Sequence, residues 1–200
     1  MRAFSLKSVL VFTALAACLG MTAVEAATTT KHPAKATKPA KPAEQKVSML
    51  GGKFVFTLPK DYVKGPMEEI DDKARAAGVS GSLYMNKPAK RVVIITETPL
   101  PNGQKVPPND TKTLDGIIAE TLVQQQSSYK DFKKLGEKKL VRKGLGLRQL
   151  DVSGSVDGGK VLSTTITAAT GNRTAMVNVI SLAKDAKAHG QVVKGVTGGK

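Results

Sequence analysis

The 200-residue sequence lacks tryptophan and contains only one cysteine, Cys18, and two histidines, His32 and His189. A single cysteine excludes an intramolecular disulfide. So few thiol and imidazole groups also argue against a zinc site or, beyond Cys18, a thiol nucleophile. Aromatic residues make up 4% of the chain and leave few rings on which bases could stack. We therefore predict no metal, no cofactor and no nucleic-acid partner.

The sequence also lacks an apolar run long enough to cross a bilayer, which takes about 20 residues. The apolar stretch at residues 8–17 is shorter and follows a basic start with Arg2 and Lys7, as in a secretory signal peptide. It runs into residues 15–18 (LAAC), which have the form of a bacterial lipobox. In a lipobox the cysteine thiol is acylated and the cysteine becomes the first residue of the mature protein. We therefore predict lipidation, typically with palmitate, at Cys18.

The same segment offers a second cleavage signal. Small and apolar residues continue past Cys18, and Val24-Glu25-Ala26 has the pattern of a soluble-export cleavage site. Cleavage after Ala26 would discard Cys18 and release a soluble periplasmic protein. Residues 1–26 contain both cleavage signals and are predicted to be the signal peptide, with the lipobox ending at Cys18.

Composition then divides the rest of the chain in two. Residues 27–46 contain five lysines, three prolines, one glutamate and no large apolar residue, which is typical of an extended flexible linker. Residues 47–200 are long enough for a single domain with a sizeable core. The whole chain has a net charge of +15, so an anionic partner is expected. The predicted contacts with an anionic surface are the linker lysines, Lys31, Lys35, Lys38, Lys41 and Lys46.

Hydrophobic periodicity predicts an α+β domain in which helices flank an antiparallel sheet in an α/β/α sandwich. Strands are expected at residues 53–58, 81–85 and 91–97, the last apolar on both faces and therefore central. A short helix is predicted within 67–77, a longer one over 110–128, and a closing helix from 182 to 196. Four strands in meander order fill the interval between 132 and 182, separated by glycine-containing hairpin turns.

No motif nominates a catalytic centre. Residues 154–160 (GSVDGGK) match the spacing of a phosphate-binding loop, but strands flank them and a helix does not follow. The carboxylates of residues 68–72 lie in a polar, lysine-bearing segment without an apolar pocket. A serine triad would have to use His189, which lies on the apolar face of its helix. We therefore predict that the protein is not an enzyme and has no catalytic residues.

Several segments resemble the DcrB family of small bacterial envelope lipoproteins. The similarity rests on residues 50–59 (LGGKFVFTLP), 92–95 (VVII), 122–126 (LVQQQ) and 147–151 (LRQLD), together with the lipobox. The resemblance implies a PsbP-like α/β/α sandwich and a non-catalytic part in cell-envelope homeostasis. It also implies attachment to the periplasmic face of the inner membrane. Family members carry an acidic pair after the cysteine where this chain has Leu19-Gly20, so the outer membrane stays an alternative.

The expected function is thus that of a non-catalytic lipoprotein that faces the periplasm. Its membrane contact would be the lipid anchor, and its other partners would be anionic lipid headgroups, the cell wall or an envelope protein. The alternative is a soluble periplasmic ligand-binding or enzymatic domain released after Ala26.

Overall fold

The computed structural model describes residues 44–199, which form a seven-stranded antiparallel sheet with helices on both faces. A separate two-stranded hairpin precedes the sheet. The hairpin strands are β1 (Gln45–Met49) and β2 (Phe54–Leu58). The sheet strands are β3 (Val63–Gly65), β4 (Ser80–Asn86), β5 (Arg91–Pro99), β6 (Lys130–Arg142), β7 (Leu145–Val156), β8 (Gly159–Thr170) and β9 (Arg173–Leu182). The helices are α1 (Asp72–Ala76), α2 (Thr111–Ser128) and α3 (Ala186–Thr197). The predicted α+β class is confirmed.

The chain path explains the strand order β3-β4-β5-β9-β8-β7-β6. After β5 the chain crosses one face of the sheet as α2, which begins where the Asp110 carboxylate accepts a hydrogen bond from the Thr113 amide at 2.8 Å. It then returns as a meander of four strands, so that β9 pairs with β5 in the centre and β6 is left at the far edge. Two of the meander turns, at Lys143-Gly144 and Asp157-Gly158, have positive φ at both residues, as tight hairpins require.

Each face of the sheet has its own core. The hairpin and α3 pack on one face, which we call the α3 face, and α2 packs over β7 and β8 on the other, the α2 face. Strand β5 serves both: Val93 and Ile95 join the α3-face core, and Val92 and Ile94 join a core on the opposite face. The prediction that this strand is central and covered on both sides is confirmed.

The structure departs from the sequence prediction mainly at short elements. Strand β1 begins at Gln45, inside the segment assigned to the linker, because Val47 and Met49 alternate inward beside polar neighbours. Strand β3 lies in a stretch expected to be a loop, and it is only 3 residues long, too short to show periodicity. No helix within residues 44–199 is long and apolar enough to span a membrane.

The turn between β1 and β2 holds its backbone in an unusual form. Leu50, Gly51 and Gly52 all have positive φ, of 53°, 62° and 89°. The Glu97 carboxylate on β5 accepts a hydrogen bond from the Leu50 amide and, at 3.1 Å, one from Nε of Arg173 on β9. The hairpin is thereby fastened to the central strands of the sheet.

Candidate functional site: a buried polar line and a basic edge strand

The structure places few of the residues that the sequence nominated for contact with a surface. Cys18, Lys31, Lys35, Lys38 and Lys41 lie outside the described residues. Lys46 is described: it lies in β1, opposite Thr57 of β2, and its side chain is exposed. An exposed side chain at the last position of the predicted linker agrees with the predicted contact but does not test it.

A line of hydrogen-bonded polar side chains, which we call the polar line, joins α3 to three strands. Nε2 of His189 lies 2.8 Å from Oγ1 of Thr164 on β8, and its Nδ1 lies 3.1 Å from Oγ of Ser181 on β9. The Thr164 hydroxyl donates to Oδ1 of Asp151 on β7 at 2.6 Å. Nε2 of Gln149 donates to both oxygens of that carboxylate, at 3.0 Å and 2.8 Å.

The hydrogen-bond pattern assigns the tautomer of the imidazole. Because the Thr164 hydroxyl gives its proton to Asp151, its oxygen accepts from Nε2–H of His189, and Nδ1 accepts from the Ser181 hydroxyl. Burial lowers the pKa of His189; the Arg91 charge adds to this effect and the Asp151 charge opposes it. The imidazole is therefore neutral at pH 7 and connects α3 to the sheet.

The polar line contains an imidazole, two hydroxyls and a carboxylate, which are the groups of a hydrolytic triad. Their arrangement differs from a triad, since Thr164 stands between the carboxylate and the imidazole. The Ser181 side chain is 1% exposed and Thr164 is 2% exposed, so neither hydroxyl reaches the surface. In this arrangement the groups hold the helix in place.

His189 stands out in the sequence, whereas its hydrogen-bond partners do not. Asp151 and Thr164 are opposite each other in the β7–β8 register, and Ser181 comes from the next strand. The sequence does show a polar residue at a core-facing position in each of the three strands. Only the strand register shows that these three side chains lie next to one another.

The other motifs singled out in the sequence are structural. The Asp71 carboxylate caps α1 by accepting from the Ala74 amide at 2.6 Å, and the neighbouring acidic side chains are exposed. The segment with phosphate-loop spacing forms the β7–β8 hairpin. No group of three or more His, Cys, Asp or Glu side chains in the described part of the chain could hold a metal ion.

Strand β6, at one edge of the sheet, is rich in basic residues. Its 13 residues include six lysines and arginines against two acidic residues. Lys134 pairs with Glu137 at 2.7 Å and Lys139 with Asp115 of α2 at 2.8 Å. Within residues 44–199, no ion pair involves the remaining lysines of the strand, Lys130, Lys133 and Lys138.

The same strand exposes apolar side chains. Leu135 is 56% exposed and Val141 is 65% exposed. Since β6 is last in the strand order and pairs only with β7 in the described sheet, its outer backbone amides and carbonyls have no strand partner. We call β6 the basic edge strand.

Comparison with known proteins supports the fold. No family model and no curated protein sequence matches the chain. Among solved structures, the chain is similar to cyanobacterial PsbP (CyanoP) from Synechocystis, with a TM-score of 0.52 and 8% identity. The match covers 81% of this chain and 96% of CyanoP. At this identity the likeness concerns the fold alone, and it confirms the predicted PsbP-like architecture.

Two further solved structures are more distant in shape. PA94 from Pseudomonas aeruginosa, a protein of unknown function, matches with a TM-score of 0.42 and 11% identity over 76% of this chain and 91% of its own. LpqN of Mycobacterium tuberculosis, described as involved in cell envelope biogenesis, matches with a TM-score of 0.43 and 14% identity. The match covers 78% of this chain and 88% of LpqN. Membership of the DcrB family stays a prediction.

Proposed function

We propose that this protein is a non-catalytic lipoprotein of the bacterial cell envelope, anchored through a lipid on Cys18, with its PsbP-like domain facing the periplasm. The domain binds an anionic partner, and the linker lysines add attraction to anionic headgroups or cell wall. The observation that carries the proposal is the lipobox-like segment 15–18 after a basic start and an apolar stretch.

Membrane attachment of this kind follows from the energetics of lipid anchors. One acyl chain gives only marginal, reversible binding, whereas several chains, or one chain with a basic segment, anchor a protein stably. Each lysine near a negative leaflet adds about 1 kcal/mol, and the attraction is screened within a Debye length. The linker of residues 27–46 would therefore reinforce the anchor and also separate the domain from the membrane.

A binding role rather than catalysis is supported by the polar line and the basic edge strand. The imidazole and hydroxyl groups that could perform chemistry are buried, while the unpaired lysines of β6 are exposed. Exposed cations beside apolar side chains are suited to recognising an acidic surface.

The mass of the mature protein tests the anchor most directly. The proposal requires an acylated species that starts at Cys18, whereas the alternative requires an unmodified species that starts at Ala27. The Cys18→Ala variant should lose lipid labelling and move to the soluble periplasmic fraction. If that variant still sediments with membranes at high salt, Cys18 is not the anchor.

The linker is tested on the unlipidated Cys18→Ala protein. Replacement of Lys31, Lys35, Lys38, Lys41 and Lys46 by glutamine should weaken binding to anionic vesicles, and the effect should shrink as salt is raised. A control with the same loss of charge changes five exposed lysines of the domain, Lys60, Lys87, Lys90, Lys184 and Lys187. Unchanged binding after the linker substitutions would show that the linker acts only as a spacer, and equal weakening by both variants would show that only the total charge matters.

A further inference from the structure

We propose that the basic edge strand binds an acidic, extended segment of a partner protein, which adds to the sheet as an eighth strand. This inference names the chemistry of the partner in the binding role proposed above and rests on that role. It starts from the position of β6, whose outer edge is open in the described structure.

The backbone of β6 provides a straight run that a strand could follow. From Gly136 to Arg142 each residue pairs in unbroken register with β7, whereas the register shifts occur only before Gly136. At about 3.4 Å per residue, this run presents about 20 Å of regular edge. Main-chain hydrogen bonds along such an edge supply affinity, and the alternating side chains supply specificity.

The two faces of this run differ in what they offer. Leu140 packs against the α3-face core, and the Arg142 guanidinium donates to the Val196 carbonyl at the end of α3. Lys138 lies on that same face because residues alternate along a strand. Lys139, whose ammonium group bonds to Asp115, lies on the α2 face with the exposed Val141. An added strand would therefore meet cationic groups on both faces and an apolar side chain on one.

The positive charge of β6 favours an acidic strand as its partner. If the β6 strands of two copies of this chain paired, their lysines would be brought together, and like charges that face each other across strands are destabilising. Lysine on an edge strand is a common protection against such pairing. An acidic strand avoids this repulsion and, along the regular run, would meet Lys138, which makes no ion pair within residues 44–199. A lipid headgroup could neutralise these lysines but would leave the backbone edge without the regular row of partners that a strand provides.

The test uses the purified full chain carrying Cys18→Ala, in solution and without membranes. The probe is a capped peptide of about eight residues that alternates valine and glutamate, a length matched to the regular edge. We expect it to bind, to slow hydrogen exchange at alternate amides of Gly136–Arg142, and to bind more weakly as salt is raised. A peptide of the same sequence with N-methyl groups on every backbone amide cannot donate to β6 from either of its edges and should not bind.

A pair of protein variants separates local charge from total charge. Lys138→Gln, within the regular run, should weaken peptide binding roughly twofold, because one exposed ion pair is lost. Lys87→Gln removes the same charge elsewhere on the surface and should leave peptide affinity nearly unchanged. Both side chains are exposed, so neither variant should impair folding.

Three results would overturn the inference: no binding of the acidic peptide, equal binding of the N-methylated peptide, or equal weakening by Lys138→Gln and Lys87→Gln. Protection of the β6 amides by anionic vesicles but not by the peptide would also overturn it, in favour of a membrane contact. Since no lipid is needed for peptide binding, its failure would leave the Cys18 anchor standing. Likewise, failure of the anchor test would leave the peptide result intact.

Discussion

The buried imidazole of His189 should make the stability of the fold fall as the pH drops below neutrality. In the unfolded chain this histidine titrates near its ordinary pKa of about 6.5. In the folded protein burial lowers the pKa of the same group, so the unfolded state binds more protons in this range. Stability contributed by the neutral imidazole is present above pH 6.5 and is lost as the pH falls through that value toward the lower folded pKa.

The size of the effect follows from a single proton. One group that stays neutral in the folded state changes the free energy of unfolding by at most about 1.4 kcal/mol per pH unit. Between about pH 7 and about pH 5, with an unfolded pKa of about 6.5, the loss sums to no more than about 1.9 kcal/mol. Below the folded pKa both states are protonated and the slope vanishes.

The assay is urea unfolding of the native protein and of His189→Gln at a series of pH values. Glutamine can still donate to Thr164 but does not titrate, so the difference between the two proteins isolates the imidazole. We expect the variant to lose less stability on acidification, by up to the amount given above. His32→Gln, in the predicted linker, is the matched control and should follow the native curve. Parallel curves for the native protein and His189→Gln would refute the argument.

Three further predictions concern packing, and urea unfolding measures them all. Gly190→Ala should stabilise α3 by about 0.5–1 kcal/mol, because a Cβ there meets nothing within 4 Å. Gly154→Ala should destabilise the fold by about 1–3 kcal/mol, because its Cβ would lie 2.5 Å from Cβ of Tyr129 and 3.0 Å from the Lys130 carbonyl oxygen. If Gly190→Ala and Gly154→Ala changed the free energy of unfolding in the same direction, the packing described here would be contradicted. Leu150→Ala, at a fully buried position, should cost about 2–5 kcal/mol, and a loss below 1 kcal/mol would show that the core can collapse.

Long elements with strong periodicity could be predicted from the sequence. The meander strands, α2 and the buried face of α3 were identified because their apolar spacing extends over ten or more residues. Strand β3 and the start of β1 could not be, because a few residues are too short a sample for periodicity.

The candidate sites depended on information that a sequence does not carry. The polar line exists only because the β7–β8 register places Asp151 opposite Thr164 and the packing of α3 adds His189. The lysines of β6 can be read from the sequence, but the position of this strand at the edge of the sheet cannot. A meander of four strands can end at the edge or in the centre of a sheet, and the pairing of β9 with β5 decides which.

The hairpin of β1 and β2 gives the proposed tether a mechanical consequence. Any pulling force transmitted from a membrane anchor through the linker would enter the domain at Gln45, which pairs with Leu58 at the open end of the hairpin. Such a load separates an antiparallel pair one rung at a time, beginning at that rung, and each rung opens before the next is strained. Val47 and Met49 would be the first buried side chains pulled from the core, before any strand pair of the seven-stranded sheet opens. Under tension from the membrane, the hairpin would thus be the first part of the domain to unfold.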